Sequence, residues 1–296
     1  MKLTFKKSIL FSLIFFIGII LSACSGNKRE FTTSGIKVGT TTNFYGNVAR
    51  AVLGKHGQVV SIINSPDIDP HDFEPTIKTA KTVADSDIFL YNGVGYDTWV
   101  DNISGKNKIA VGEDIANVHD GENEHVWYKP AVMKKTTLRM AAEYSRIQPQ
   151  HKRYFYDNAR RYNKQINQLI QMEKQIRKHS KNQAVAVSEP VFNYSLEDMG
   201  YKVSNQHFAQ SIDEGTDPTY TDIKRLSASI AQRKIAFFVY NTQSDGQIID
   251  QMVQLCHKHH VPVVKVTETM PQGDNYISWM KQEYSQIQDI QAKEGN

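Results

Sequence analysis

The chain has 296 residues, 40% of them hydrophobic and 22% charged, with a formal net charge of +4. Three of those charges are Lys2, Lys6 and Lys7, so without residues 1–23 the balance stands at +1 and offers no footprint for nucleic acid. The 273 residues that remain are enough to bury a core and suggest two domains of ordinary size.

The three lysines precede a mostly apolar run from Ile9 to Leu21, closed by Ser22 and Ala23. That run is too short to cross about 30 Å of hydrocarbon, so residues 1–23 read as a secretory signal and not as a membrane span. Leu21-Ser22-Ala23-Cys24 resembles a bacterial lipoprotein box, which implies cleavage before Cys24 and lipid on its sulfur. The expected location is extracytoplasmic, with acyl chains anchoring the protein to the bacterial cell membrane. Residues 24–35 read as a polar tether. With Cys24 lipidated, Cys256 has no partner for an internal disulfide, and the fold must stand on its core.

Residues 36–148 are expected to form a first α/β lobe. Its strands are read at 36–42, 57–64, 87–93 and 107–114, with helices beginning near Phe44 and spanning 76–86. The stretch 149–180 has no internal proline and no glycine, and Phe155, Ala159, Tyr162, Ile166, Leu169, Met172 and Ile176 recur at helical spacing. A helix of about 30 residues runs about 45 Å, long enough to link two lobes. Strand and helix alternate again over 181–296, with strands at 183–189, 201–206, 235–241 and 261–267 and an amphipathic helix at the end. Such alternation predicts parallel sheets with helices on both faces.

Four segments place a metal-binding side chain just after a predicted strand, where α/β sheets build their sites. His71 lies between Pro70 and Pro75 in DPHDFEP, and the prolines restrict the loop that carries it. His125 lies in ENEHVWYKP, Glu189 in VSEPVF and Asp274 in PQGDNY. Glu189 also suits the cap of a following helix, and Asp274 the N-cap of the last one. His119, Asp120, Glu122 and Glu124 surround His125, Glu268 is a candidate acceptor for the second nitrogen of a metal-bound histidine, and CHKHH (256–260) reads as a helix end.

In their order, DPHDFEP, HVWYKP, the long helix, SEPVFNYSLEDMGY, EGTDPTYTDIKRL and GDNYISWMKQEY resemble the zinc and manganese substrate-binding lipoproteins of bacterial metal ABC importers, the cluster A-I receptors with a helical backbone. The resemblance covers nearly the whole chain beyond the signal. It implies an α/β fold of two lobes, each a parallel sheet with helices on both faces, bridged by one long rigid helix. It also implies a monomer that is not an enzyme, which captures Zn²⁺ or Mn²⁺ between the lobes and delivers it to an ABC permease and its ATPase. Carried over position by position, the metal ligands fall on His71, His125, Glu189 and Asp274, with His207 in NQHFAQ as the alternative third ligand.

Two neutral imidazoles and two carboxylates cancel the charge of a divalent ion, and nitrogen and oxygen donors without thiolate suit Mn²⁺ or Zn²⁺. The donors do not separate the two metals, although the general affinity order favours zinc at an undiscriminating site. A metal-dependent hydrolase would need an open coordination position, which four protein ligands deny to zinc. A siderophore-type binding protein would need an aromatic or arginine-lined cleft, and the four ligand segments contain no arginine.

Overall fold

A computed structural model of the chain describes residues 31, 34–66, 68, 70–71, 73–244 and 246–294. The signal at 1–23, the lipidation site Cys24 and most of the tether at 24–35 lie outside the described residues. Among those described, no helix is long and apolar enough to cross a membrane.

The first sheet is parallel, with β1 (Ile36–Thr42), β2 (Gly57–Ile63), β3 (Ile88–Tyr91) and β4 (Lys108–Ala110) in the order β2-β1-β3-β4. Helices α1 (Asn43–Leu53) and α2 (Ile77–Asp85) make its crossovers. Thr76 starts α2 by exchanging hydrogen bonds with Thr79. The chain then runs through α3 (Pro130–Ile147) and the 28-residue α4 (Lys152–His179), about 42 Å long at 1.5 Å per residue. The second sheet repeats the topology, with β5 (Ala184–Val187), β6 (Lys202–Val203), β7 (Phe238–Asn241) and β8 (Val263–Val266) in the order β6-β5-β7-β8. Around it lie α5 (Asn193–Asp198), α6 (Gln206–Asp213), α7 (Tyr220–Ala231) and α8 (Gln247–Lys258), and α9 (Tyr276–Glu294) closes the chain.

Three differences from the sequence expectation have local causes. The strand expected at 107–114 stops at Ala110, because Asp114 accepts the Ala110 N–H and Glu113 the Val94 N–H, winding 111–116 into a π-helical turn. The strand expected at 201–206 pairs only over Lys202–Val203, and the Asn205 side chain takes the Val187 N–H and C=O in place of further ladder. The long helix starts at Lys152, with Pro149–His151 forming a 3₁₀ turn before it.

The buried face of α4 carries Phe155, Ala159, Tyr162, Ile166, Leu169 and Ile176, as the spacing predicted. It joins a single apolar core that includes Val38 and Leu90 of the first sheet and Val187 and Val239 of the second. Aromatic rings fill the zone between the lobes. Phe44 stacks on Trp127 at 4.8 Å and lies 5.9 Å from Trp279, which is 5.4 Å from Tyr128.

Two acids are buried in this core. Glu283 Oε1 accepts from Trp279 Nε1 (2.8 Å), Thr267 N (3.0 Å) and Tyr128 OH (3.1 Å), and its Oε2 is buried without a hydrogen-bond partner. Burial pushes its carboxyl up to about 8, and likewise that of Glu173, which accepts from Tyr284 OH at 2.8 Å. An acid held protonated in the fold but released near 4.3 in the unfolded chain contributes stability that is intact below that value and lost as pH rises through about 8. Glu283→Gln cannot titrate, so it is expected to gain on the wild type between about pH 5 and pH 8, by up to about 1.4 kcal/mol per pH unit. Urea unfolding across that window checks this, and a difference independent of pH would contradict it.

Candidate metal centre

The carboxyl ends of both sheets face one seam, and most of the candidate ligands gather there. His71, in the loop after β2, sets its ring edge-on against Tyr96 at 4.9 Å, and its Nε2 is 3.7 Å from Glu124 Oε1. Tyr96 follows β3 and is buried. Its hydroxyl donates across the seam to Glu268 Oε1 (2.9 Å), two residues beyond β8, and its ring centroid lies 6.3 Å from that of His125. One tyrosine therefore touches or faces three candidate donors from both lobes.

His125 is completely buried. Its Nδ1 lies 2.8 Å from Asn123 Oδ1, and that amide is oriented by its own Nδ2 donating to Pro190 O at 2.9 Å. Oδ1 must then accept the Nδ1 proton, which leaves Nε2 with its lone pair free for a metal. Nε2 has no hydrogen-bond partner. Burial, with His71 adding to it, pushes the imidazole well below its usual range, so His125 is neutral and has no proton to displace.

Glu189 stands at the start of the 3₁₀ turn Pro190–Phe192 but makes no capping hydrogen bond. Its Oε2 accepts from Asn241 Nδ2 at the end of β7, 2.7 Å away. Glu189 and Glu268 line one cavity of about 730 Å³. Asp213, the last residue of α6, offers an oxygen that lies with a Glu124 oxygen and a His125 ring nitrogen, all within 4.8 Å of one another. Burial pushes the Asp213 carboxyl up to about 8, and Glu124, Glu189 and Glu268 add to the rise. Burial also raises Glu124, with His71 working against it.

The structure brings donor atoms of Glu124, His125 and Asp213 within 4.8 Å of one another, connects His71 and Glu268 to them through Tyr96, and places Glu189 with Glu268 on one cavity. It does not bring Asp274 to this group. Asp274 Oδ1 accepts from Ser278 Oγ (2.9 Å) and Gln282 Nε2 (3.1 Å) at the start of α9, and the residue lines a separate cavity with Asn43, Arg50 and Ser61. His207 sits exposed on α6, where its Nδ1 meets Asp222 Oδ2 at 2.8 Å. His119 is exposed in a turn that Glu122 closes by accepting its backbone N–H. The CHKHH segment ends α8, with Cys256 buried and its thiol pushed up to about 12 by that burial.

Two α/β lobes that point a buried imidazole and clustered carboxylates at one seam define a two-lobed cation-binding protein. A model of the family described as ZnuA, zinc-uptake complex component A, periplasmic, matches residues 38–290, and the chain belongs to this family. The manganese ABC transporter substrate-binding lipoprotein PsaA of Streptococcus pneumoniae serotype 4 is 24% identical over 307 residues, spanning 95% of this chain and 97% of the relative. The high-affinity zinc uptake system protein ZnuA of Bacillus subtilis is 22% identical over 302 residues, spanning 92% and 93%. Among solved structures, the periplasmic zinc-binding protein TroA from Treponema pallidum shares the fold with a TM-score of 0.72 at 16% identity, over 87% of this chain and 99% of that one. A manganese-bound periplasmic metal-binding protein mutant from Candidatus Liberibacter asiaticus gives the same score and identity, over 86% and 99%.

Proposed function

We propose that this protein captures a divalent zinc or manganese ion at the seam between its lobes and hands it to an ABC permease driven by its ATPase. What supports this is the buried His125, whose Nε2 has no hydrogen-bond partner, at a seam where Tyr96 faces His71 and His125 and bonds to Glu268 of the second lobe, with Glu189 lining the same cavity as Glu268. The imidazoles supply nitrogen, and the carboxylates supply oxygen and cancel the charge of the ion. Tyr96 orients Glu268, Asn241 orients Glu189 and Asn123 orients His125, so three of the four donors are held before the ion arrives. Bonds across the seam, Tyr194 OH to Asn123 O and Gln243 Nε2 to Pro66 O, tie the ligand-bearing loops of one lobe to the other.

Lipid on Cys24 keeps the protein, as a monomer, at the outer face of the cell membrane near its permease. Family membership favours capture and delivery over a hydrolase or a siderophore-type binder.

Metal analysis of the chain beyond Cys24, with zinc and manganese competition, tests the reading. Glu268→Ala is expected to lower affinity by more than about 100-fold, beyond what loss of an outer hydrogen-bond partner does, whereas Asp274→Ala stays near the wild type. The reverse pattern would move the fourth ligand to Asp274.

A further inference from the structure

Four donors saturate a tetrahedral ion, and the seam presents six metal-binding side chains. Glu124 and Asp213 are the two left over. Both line a cavity of about 480 Å³ whose lining also includes His71, Glu122 and Glu214. This cavity shares no lining residue with the one that holds Glu189 and Glu268. The seam is therefore approached from two spaces, one of them walled by acids.

An acidic wall alone is commonplace. The independent observation is His125, a completely buried imidazole whose Nε2 has no hydrogen-bond partner. A ring nitrogen of that imidazole lies within 4.8 Å of oxygens from both Glu124 and Asp213, and its Nδ1 is 3.9 Å from Glu124 Oε2. Two hard oxygens beside an imidazole nitrogen form a cation-binding set in their own right.

We infer that Glu124, Asp213 and His125 form an entry subsite, where an incoming divalent cation first lands before it passes to His71, Glu189 and Glu268. The inference rests on the capture reading above. The acidic cavity raises the local cation concentration, and the two carboxylates replace the first of the ion's waters. The imidazole is common to both positions, so they cannot be filled together and the protein holds one ion. Glu124 also reaches His71 Nε2 at 3.7 Å, which places it beside both ends of the transfer.

Trp127, its ring 5.1 Å from that of His125, reports binding by its fluorescence in stopped-flow mixing with Zn²⁺ or Mn²⁺. In Glu124→Gln/Asp213→Asn, association and dissociation into excess chelator are both expected to slow by about tenfold or more, so that affinity stays within about twofold and one ion is still bound. Each single variant should show part of the slowing, which keeps the test open if the double variant folds poorly. Glu122→Gln, in the same cavity, is expected to change association by less than about twofold. Unchanged rates would overturn the subsite. So would faster dissociation at unchanged association, which would make both acids ligands of the final position, or equal slowing in Glu122→Gln, which would reduce the effect to surface charge. A wild type that binds neither ion would instead sink the capture reading.

Discussion

His125→Ala is expected to lower zinc and manganese affinity by more than about 100-fold, a larger loss than removal of an outer hydrogen-bond partner produces. Its Nδ1 is committed to Asn123, its Nε2 is buried without a partner, and burial keeps the ring neutral. No other described histidine combines these properties. His71 is partly exposed, and His207 is exposed and paired with Asp222. Competition against a chromophoric chelator reads the affinity, with His207→Ala as the control expected to match the wild type. An affinity for His125→Ala within about threefold of wild type would remove the imidazole from the proposed site, because a lost ligand costs far more than that.

Trp127→Ala should destabilise the fold by about 3–5 kcal/mol, the usual range for emptying a large aromatic site that cannot collapse. Trp127 is fully buried and stacks on Phe44, and its ring lies 4.8 Å from Tyr96 and 5.1 Å from His125. Truncation would open a cavity directly behind the metal centre, so metal affinity should fall as well. The indole Nε1 has no hydrogen-bond partner, so Trp127→Phe loses volume but no hydrogen bond and should cost much less. Urea midpoints measured at unchanged m-value give the comparison. A loss below about 1 kcal/mol for Trp127→Ala would mean that the ring packs less tightly than its complete burial implies.

The parts of the fold that sequence revealed are those whose patterning has one cause. Strands β3 and β8 are short, largely apolar runs, and α4 is a long segment without glycine whose stripe repeats from Phe155 to Ile176. Helix α3 was not legible in the same way, because its buried face mixes Thr136 and Thr137 with Val132, Met140 and Tyr144 while Lys134, Lys135 and Arg139 interrupt the run. Helix α6 was hidden by the strand expected at 201–206, whose ladder Asn205 completes with its side chain.

The candidate site divides similarly. His71, His125 and Glu189 follow strands and stand in ordered motifs. Glu268 and Asp274 compete within one short stretch, and spacing cannot choose between them. Only the end of β8 at Val266 puts Glu268 at the seam and leaves Asp274 to the first turn of α9. Asp213 carries no signal at all, since nothing in SIDEG foretells that α6 ends beside Glu124.

The single core shared by both sheets limits how an ion can enter or leave. Swinging one lobe off the other would pull Trp279 away from Phe44 and Tyr128. At about 25 cal/mol per Å² and roughly 200 Å² per aromatic side chain, fully exposing these three rings takes up to about 15 kcal/mol. That is comparable with the entire stability margin of about 5–15 kcal/mol typical of a folded domain. Wide clamshell opening is therefore disfavoured in this molecule, and ion exchange at the seam is expected to fall on the short segments that bear His71, Glu124 and Asp213.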